Sequence, residues 1–398
     1  MARLNIYNRR ERTLVAAADA ALWPAALVRR ALRRAATDPP KRILCLRLER
    51  IGDLIMTIPA LTELRALAPG AAIDLVVGSW NREIALSIRG IDRIETLDAA
   101  WLTREGYGRT ALALIREAHS WRSRHYDLAI NFEPDIRGNL LAGAAGARRL
   151  AGFASGGGGA LLDLALEYDQ RAHTTDNAVA LVRAALAGSA PATGSSMLVL
   201  PEPARAEAGR LLHTLPAGVR IGIHVSGGRP VKQWPEERFA EIAARMIEDR
   251  NAVIILTGAP GDRAQVDVVK RELPSDRVLD LSGRVDLVTL AATLMELDLL
   301  VTGDTGPMHL ADAVGTPIVG IFGPSDAARY APRGPRSRIV RIDLPCSPCN
   351  RIRLPPARCT GHTPDCLGGI PVAQVIHAID DVLAEHDPAT SGFKRQDR

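Results

Sequence analysis

The feature that most constrains how this chain folds is an alternation that runs along it twice: short apolar runs of strand length, each followed by a turn and a stretch with helical spacing. In the first series, residues 41–48 (K-R-I-L-C-L-R-L) read as a buried strand entering a helix near Leu54. Strands over 72–77, 93–97 and 127–132 follow, with helices around 110–121 and 138–146. The second series places strands at 219–225, 252–257, 298–301 and 317–322, separated by helices near 236–249, 261–272, 287–296 and 306–314. Strands divided by helices pair in parallel, because a parallel neighbour needs a long crossover. The expectation is an α/β chain of two doubly wound, Rossmann-like parallel-sheet domains, over residues 41–200 and 201–372. A chain of 398 residues is long enough to divide into two cores. Residues 188–218, rich in Ala, Pro and Gly without sustained periodicity, read as the crossing between them. A last helix over 372–386 opens a terminal segment, 373–398.

Charge singles out the N-terminus. Residues 1–40 hold eight arginines against Glu11, Asp19 and Asp38, which is the whole formal net charge of +5, while the rest of the chain balances at 42 basic and 42 acidic residues. A nucleic-acid partner is not expected, since the folded body carries no basic excess. Leu14, Ala18, Leu22, Ala25, Val28 and Leu32 recur at helical spacing, with arginines crowded at the C-terminal end where the helix dipole favours cations. This is a basic amphipathic helix, and two readings stand open: attachment to an anionic membrane surface, or packing on the body. Asp19 and Pro24 break the apolar run well short of the ~20 residues that span a bilayer, and no small-residue cleavage site stands out.

Two doubly wound halves facing each other would leave a cleft lined by the carboxyl ends of both sheets, where ligands of such folds bind. The loops after the strands therefore carry the candidate chemistry. Gly52-Asp53 starts a helix in the first half. In the second half the loops are Ser226-Gly227-Gly228 through Lys232-Gln233-Trp234-Pro235, Thr257-Gly258 through Asp262, and Gly303-Asp304-Thr305-Gly306. The last joins strand to helix, so its backbone N–H groups suit a diphosphate, with glycine allowing close approach and Thr305 adding a hydroxyl. Lys232 is placed to act on the same phosphates as a point charge. No D-x-D occurs in the chain, so the usual sequence signal for a metal bridging a nucleotide diphosphate is missing.

Taken together, G-D-L-I-M-T-I-P (52–59), K-Q-W-P (232–235), L-T-G-A-P-G-D (256–262), T-G-D-T-G-P-M-H-L-A (302–311) and G-T-P-I-V-G-I-F-G-P (315–324) resemble glycosyltransferase family 9, the heptosyltransferase family, in order and spacing over about residues 42–385. The resemblance implies a GT-B fold, an ADP-activated heptose donor and a lipid A–core acceptor at the cytoplasmic face of the inner membrane, so a cytoplasmic chain, peripheral on that face. It implies inverting transfer with Asp53 as general base. Lys232, Thr305 and Gly306 would hold the diphosphate, Asp262 would meet the nucleoside and Asp304 the sugar. Gly52, Ser226, Gly258 and His309 complete the expected donor-binding set, and Asp53 with Lys232 the catalytic one. Residues 1–40 fall outside the resemblance. Arg47-Leu48-Glu49-Arg50-Ile51 is bulkier and more charged than the small polar residues some members carry, and Ser226-Gly227-Gly228 stands where threonines often contact phosphate.

Cys346, Cys349, Cys359 and Cys366 follow C-x2-C-x9-C-x6-C within a loop at 345–367, with His362 between. Four such ligands suit a structural zinc; reduced or transiently oxidised thiols are the other reading. Cys45, inside a strand, reads as a small buried apolar residue. No cofactor is expected for catalysis. The rivals to heptosyl transfer are a GT-B transferase with a UDP- or GDP-sugar donor or another surface glycan as acceptor, a catalytically idle fold relative bound at a membrane, and a sugar-nucleotide epimerase.

Overall fold

Ile43, Leu44, Cys45 and Leu46 are all fully buried, so the first strand is apolar on both faces, and such a strand needs helices on both sides of its sheet. The computed structural model has that architecture. It describes residues 8–31, 38–102, 108–189 and 198–385, with Leu4 and Ile6. Leu32, Arg33, Arg34, His386 and the tail beyond it, on which parts of the sequence reading fall, lie outside the described residues.

The chain divides into two compact units, Met1–Val199 and Leu200–Arg398. The first runs α1 (Arg9–Ala31), β1 (Arg42–Arg47), α2 (Ile51–Leu67), β2 (Ala72–Val77), α3 (Arg82–Leu86), β3 (Arg93–Thr96), α4 (Ala111–Ser120), β4 (Leu128–Asn131), α5 (Ile136–Ala144), β5 (Arg149–Phe153), β6 (Leu164–Leu166) and α6 (Thr174–Leu186). The second runs α7 (Glu202–Leu212), β7 (Arg220–His224), α8 (Glu236–Arg250), β8 (Val253–Thr257), α9 (Arg263–Lys270), β9 (Val278–Asp280), α10 (Leu287–Met295), β10 (Leu299–Gly303), α11 (Gly306–Ala313), β11 (Ile318–Ile321), α12 (Ala327–Tyr330), β12 (Ser337–Val340), α13 (Asp365–Gly368) and α14 (Val372–Ala384).

Each unit has one six-stranded, all-parallel sheet, ordered β3-β2-β1-β4-β5-β6 in the first and β12-β11-β10-β7-β8-β9 in the second. In both, chain order reverses beside the first strand, between β1 and β4 and between β7 and β10. Loops leaving those neighbouring strands diverge to opposite faces, which opens a crevice at the carboxyl edge of each sheet.

Local chemistry explains where several helices begin. Asp135 accepts from the Arg137 N–H (2.7 Å) to start α5, and Asp286 accepts from the Thr289 N–H (2.7 Å) to start α10. Trp234 is 2% exposed and meets Phe239 edge to face, ring centroids 4.9 Å apart. This contact pins the entry into α8, and with it the loop that carries Lys232.

One part of the sequence reading needs correction. The stretch 188–218 is not all linker, since α7 lies in it; its buried Ala204, Ala208 and Leu212 recur every fourth residue, but two alanines give too weak an apolar signal to register. Residues 190–197 lie outside the described residues. Of the apolar stripe read along α1, for which two readings stood open, Leu14, Ala18 and Val28 are exposed and Leu22 is half-buried. Val15, Asp19, Leu22 and Ala26 turn inward, towards Gly157 and the turn Gly159–Leu161. Leu14 and Val28 are 71% and 58% exposed. Among the described residues no helix is long and apolar enough to cross a membrane.

Candidate active site

In the first unit, β1 delivers Arg47 and α2 delivers Asp53, the third residue of its first turn. Gly52 is buried beneath it. A carboxylate there faces the helix dipole and accepts from the Arg50 N–H at 3.3 Å. Arg47, only 3% exposed, reaches the same residue twice: Nη2 donates to Asp53 Oδ1 at 3.3 Å and Nε to the Asp53 carbonyl at 3.1 Å. Its third arm donates to the Phe132 carbonyl at 3.0 Å. Burial would depress the Arg47 guanidinium, but Asp53, Glu49 and Glu133 outweigh it and keep the charge. Glu133, two residues beyond β4, accepts from the backbone N–H groups of Leu48 and, at 2.9 Å, of Glu49. Its carboxyl is pushed up to about 8, by burial first and then by the Glu49 carboxylate. Trp80 Nε1 and Asn81 Nδ2 donate to the Glu49 carbonyl at 3.0 and 2.8 Å. The loop before Asp53 is therefore clamped from β2 and β4, and Asp53 stands on it one-quarter exposed.

In the second unit the loops after β7 and β10 meet. Lys232 Nζ lies 2.7 Å from Asp304 Oδ2, with the two side chains 17% and 13% exposed. His309, buried in α11, places Nε2 at 3.8 Å from Asp304 Oδ1. Burial alone would raise the Asp304 carboxyl; the Lys232 ammonium and His309 outweigh it and hold the carboxyl well below the usual carboxylate range. A Cβ on Gly227 would lie 2.5 Å from the Lys232 carbonyl group, so only glycine lets the two limbs of that loop close. Gln233 completes the closure, accepting from the Gly227 N–H (2.7 Å) and donating to the Val225 and Trp234 carbonyls (2.8 and 2.9 Å). Ser226 is buried and accepts from the Gly228 N–H at 3.1 Å.

Thr305 is the N-cap of α11, and its hydroxyl is engaged within the loop, donating to the Gly303 carbonyl (3.3 Å) and meeting the Thr302 hydroxyl (3.1 Å). What this turn offers an anion is backbone N–H: those of Gly306 and Met308 have no partner within the helix. Gly258 and Asp262 sit together after β8, where Asp262 accepts from the Ala259 N–H at 2.7 Å. Next to them His224 is buried against Thr257 (3.0 Å), and burial lowers it to about 4, so it stays neutral near pH 7.

All four cysteines of the 345–367 loop are free thiols, Cys346 exposed and Cys366 buried. Among the described residues no group of three or more His, Cys, Asp or Glu is placed to hold a metal ion.

Residues 114–355, more than half of the chain, match the model of glycosyltransferase family 9 (heptosyltransferase). This chain belongs to glycosyltransferase family 9. Lipopolysaccharide heptosyltransferase 1 of Pseudomonas aeruginosa is 27% identical over 323 residues, which covers 77% of this chain and 86% of that one. The family 9 glycosyl transferase of Veillonella parvula superposes with a TM-score of 0.72 at 25% identity, covering 87% and 97%. The E. coli ADP-heptose lps heptosyltransferase II superposes at 0.70 with 21% identity, covering 87% and 99%. The fold is that of these enzymes, and this family 9 chain is a glycosyltransferase rather than an epimerase.

Three residues around the two clusters were not singled out from the sequence as site residues: Arg47, Glu133 and Gln233. Arg47 did carry a signal, an arginine closing the apolar run 43–46 five residues before Gly52-Asp53.

Proposed function

We propose that this chain is an inverting heptosyltransferase that moves a heptose from ADP-heptose to a lipopolysaccharide core acceptor. The observation that carries the reading is the buried Lys232–Asp304–His309 cluster beside the first turn of α11: a fixed cation next to N–H groups that have no partner within the helix, held at the switch point of the second sheet. A relative of matching fold is an ADP-heptose lps heptosyltransferase, and a relative at 27% identity is a lipopolysaccharide heptosyltransferase.

In the proposed reaction Asp53 takes the proton from an acceptor hydroxyl as that oxygen attacks the anomeric carbon. The bond from that carbon to the diphosphate oxygen breaks, and ADP leaves with the electron pair. Lys232 and the N–H groups of Gly306 and Met308 take up the negative charge on the diphosphate. Asp304 orients Lys232 and faces the sugar, Ser226 lines the phosphates, and Gly258 with Asp262 meets the nucleoside. Arg47 holds the Asp53 carboxylate in place. A lipid-linked acceptor puts the enzyme in the cytoplasm, against the inner face of the cytoplasmic membrane. Thermal-shift titration with ADP, UDP and GDP tests the donor: ligand at a hundredfold its Kd stabilises by about 2.7 kcal/mol. Selective stabilisation by ADP is expected, and selective stabilisation by UDP or GDP would overturn this donor.

A further inference from the structure

The outer face of α1 is built for a bilayer surface. Every exposed residue from Thr13 to Val28 is uncharged, and Leu14, Trp23, Leu27 and Val28 are 71%, 41%, 54% and 58% exposed. The one charge in that span, Asp19, lies on the inward face. Charge is confined to the two ends, with Arg9, Arg10 and Arg12 exposed before the apolar stretch and Arg29, Arg30, Arg33 and Arg34 following in the sequence. The apolar stretch is roughly 24 Å long at ~1.5 Å per residue. A helix of this kind lies in the interface, its apolar face in the acyl boundary and its arginines among anionic headgroups.

The inward face fixes where such a contact would hold the first unit. Val15 packs at Gly157, which also touches Ile136 at the start of α5, and Glu11 acts electrostatically on Arg137 in the next position. Gly157, after β5, and Ile136 and Arg137, in the first turn of α5 after β4, lie at the carboxyl edge of the first sheet, the same edge from which Asp53 rises. We propose that α1 is a membrane-docking helix whose outer face enters an anionic bilayer, bringing the carboxyl edge of the first unit to the surface that carries a lipid-linked acceptor. The choice of acceptor rests on the proposed function; the docking itself does not.

The test is co-sedimentation of the full chain with phosphatidylcholine vesicles made with and without phosphatidylglycerol, in the absence of donor and acceptor. Binding to the anionic vesicles is expected, weakened by salt. The triple variant Leu14→Glu, Leu27→Glu, Val28→Glu should bind at least tenfold less while keeping its melting temperature and its stabilisation by ADP. Should the glutamates unfold α1, the exposed set Arg9→Ser, Arg10→Ser, Arg12→Ser serves instead, and should weaken the preference for anionic vesicles. Vesicle binding unchanged in both variants would overturn the proposal, as would failure of the full chain to bind. So would a dimer of the full chain that the triple variant splits, since the face would then belong to a second copy. If ADP stabilises neither protein, the donor assignment fails and the vesicle result stands by itself.

Discussion

Both units gather charge at the carboxyl edge of a parallel sheet, but they hold it in different ways. In the second unit, opposite charges are paired at close range: Lys232 and Asp304 at 2.7 Å, on loops that Gly227 and Gln233 draw shut. In the first unit a buried arginine sits under a partly exposed carboxylate, beside a second carboxyl that burial keeps protonated to higher pH. A site that receives a diphosphate needs a cation whose position is already fixed, because the charge it must meet develops as the bond breaks. A site that removes a proton needs a carboxylate that is held in place and still reaches its substrate. The contrast matches the division of labour proposed for the two units.

Four experiments would break or sharpen this contrast. The largest effect is expected at Asp53. Asp53→Asn keeps the shape and removes the base, so turnover should fall by about two orders of magnitude or more, with ADP affinity unchanged. Parent-like turnover would reduce Asp53 to a carboxylate that only offsets a helix dipole. Lys232→Ala should act on the other unit: weaker ADP binding by titration calorimetry together with slower transfer, roughly tenfold or more in each, since this cation meets the diphosphate before and during bond breaking. If both constants hold, the ion pair with Asp304 is structural.

A smaller effect separates the buried carboxyl from the exposed one. The folded chain keeps a proton on Glu133 up to about pH 8, whereas an ordinary carboxyl has released it above about pH 4.5. The stability associated with that proton is complete below this window and is lost as pH rises through it. Glu133→Gln should therefore gain melting temperature relative to the parent as pH is raised from about 5 to about 8. Parallel curves would mean that Glu133 is ionised throughout. The smallest effect is expected from EDTA. With no D-x-D in the chain and Lys232 beside the α11 N–H groups, transfer should persist in the chelator. Complete loss restored by magnesium would contradict that leaving-group scheme.

How far the sequence discloses this arrangement differs between the units. The doubly wound order is legible because buried parallel strands are near-continuous apolar runs, and β1, β7, β8 and β10 are of that kind. The edge strands β6, β9 and β12 are three or four residues long and only partly buried, too short to rise above their flanks. In the second unit, Lys232, Asp304 and His309 sit in motifs whose spacing makes them converge once β7 and β10 are neighbours. In the first unit Arg47 donates to the Phe132 carbonyl across the β1–β4 pairing, a contact spanning more than eighty residues that no local pattern announces. For α1, helical spacing alone could not tell which of two apolar faces the body covers; the narrow one from Val15, half-buried, to Ala26, buried, turns inward.

The proposal as a whole rests on one reaction, and mass spectrometry of the acceptor tests it most directly. The full chain would be incubated with ADP-heptose and a heptose-free lipopolysaccharide core. The account predicts a mass increase of one heptose, with the inverted anomeric configuration read by NMR of the product, abolished in Asp53→Asn and strongly slowed in Lys232→Ala. An acceptor left unmodified by ADP-heptose, but glycosylated from a UDP- or GDP-sugar under the same conditions, would contradict it.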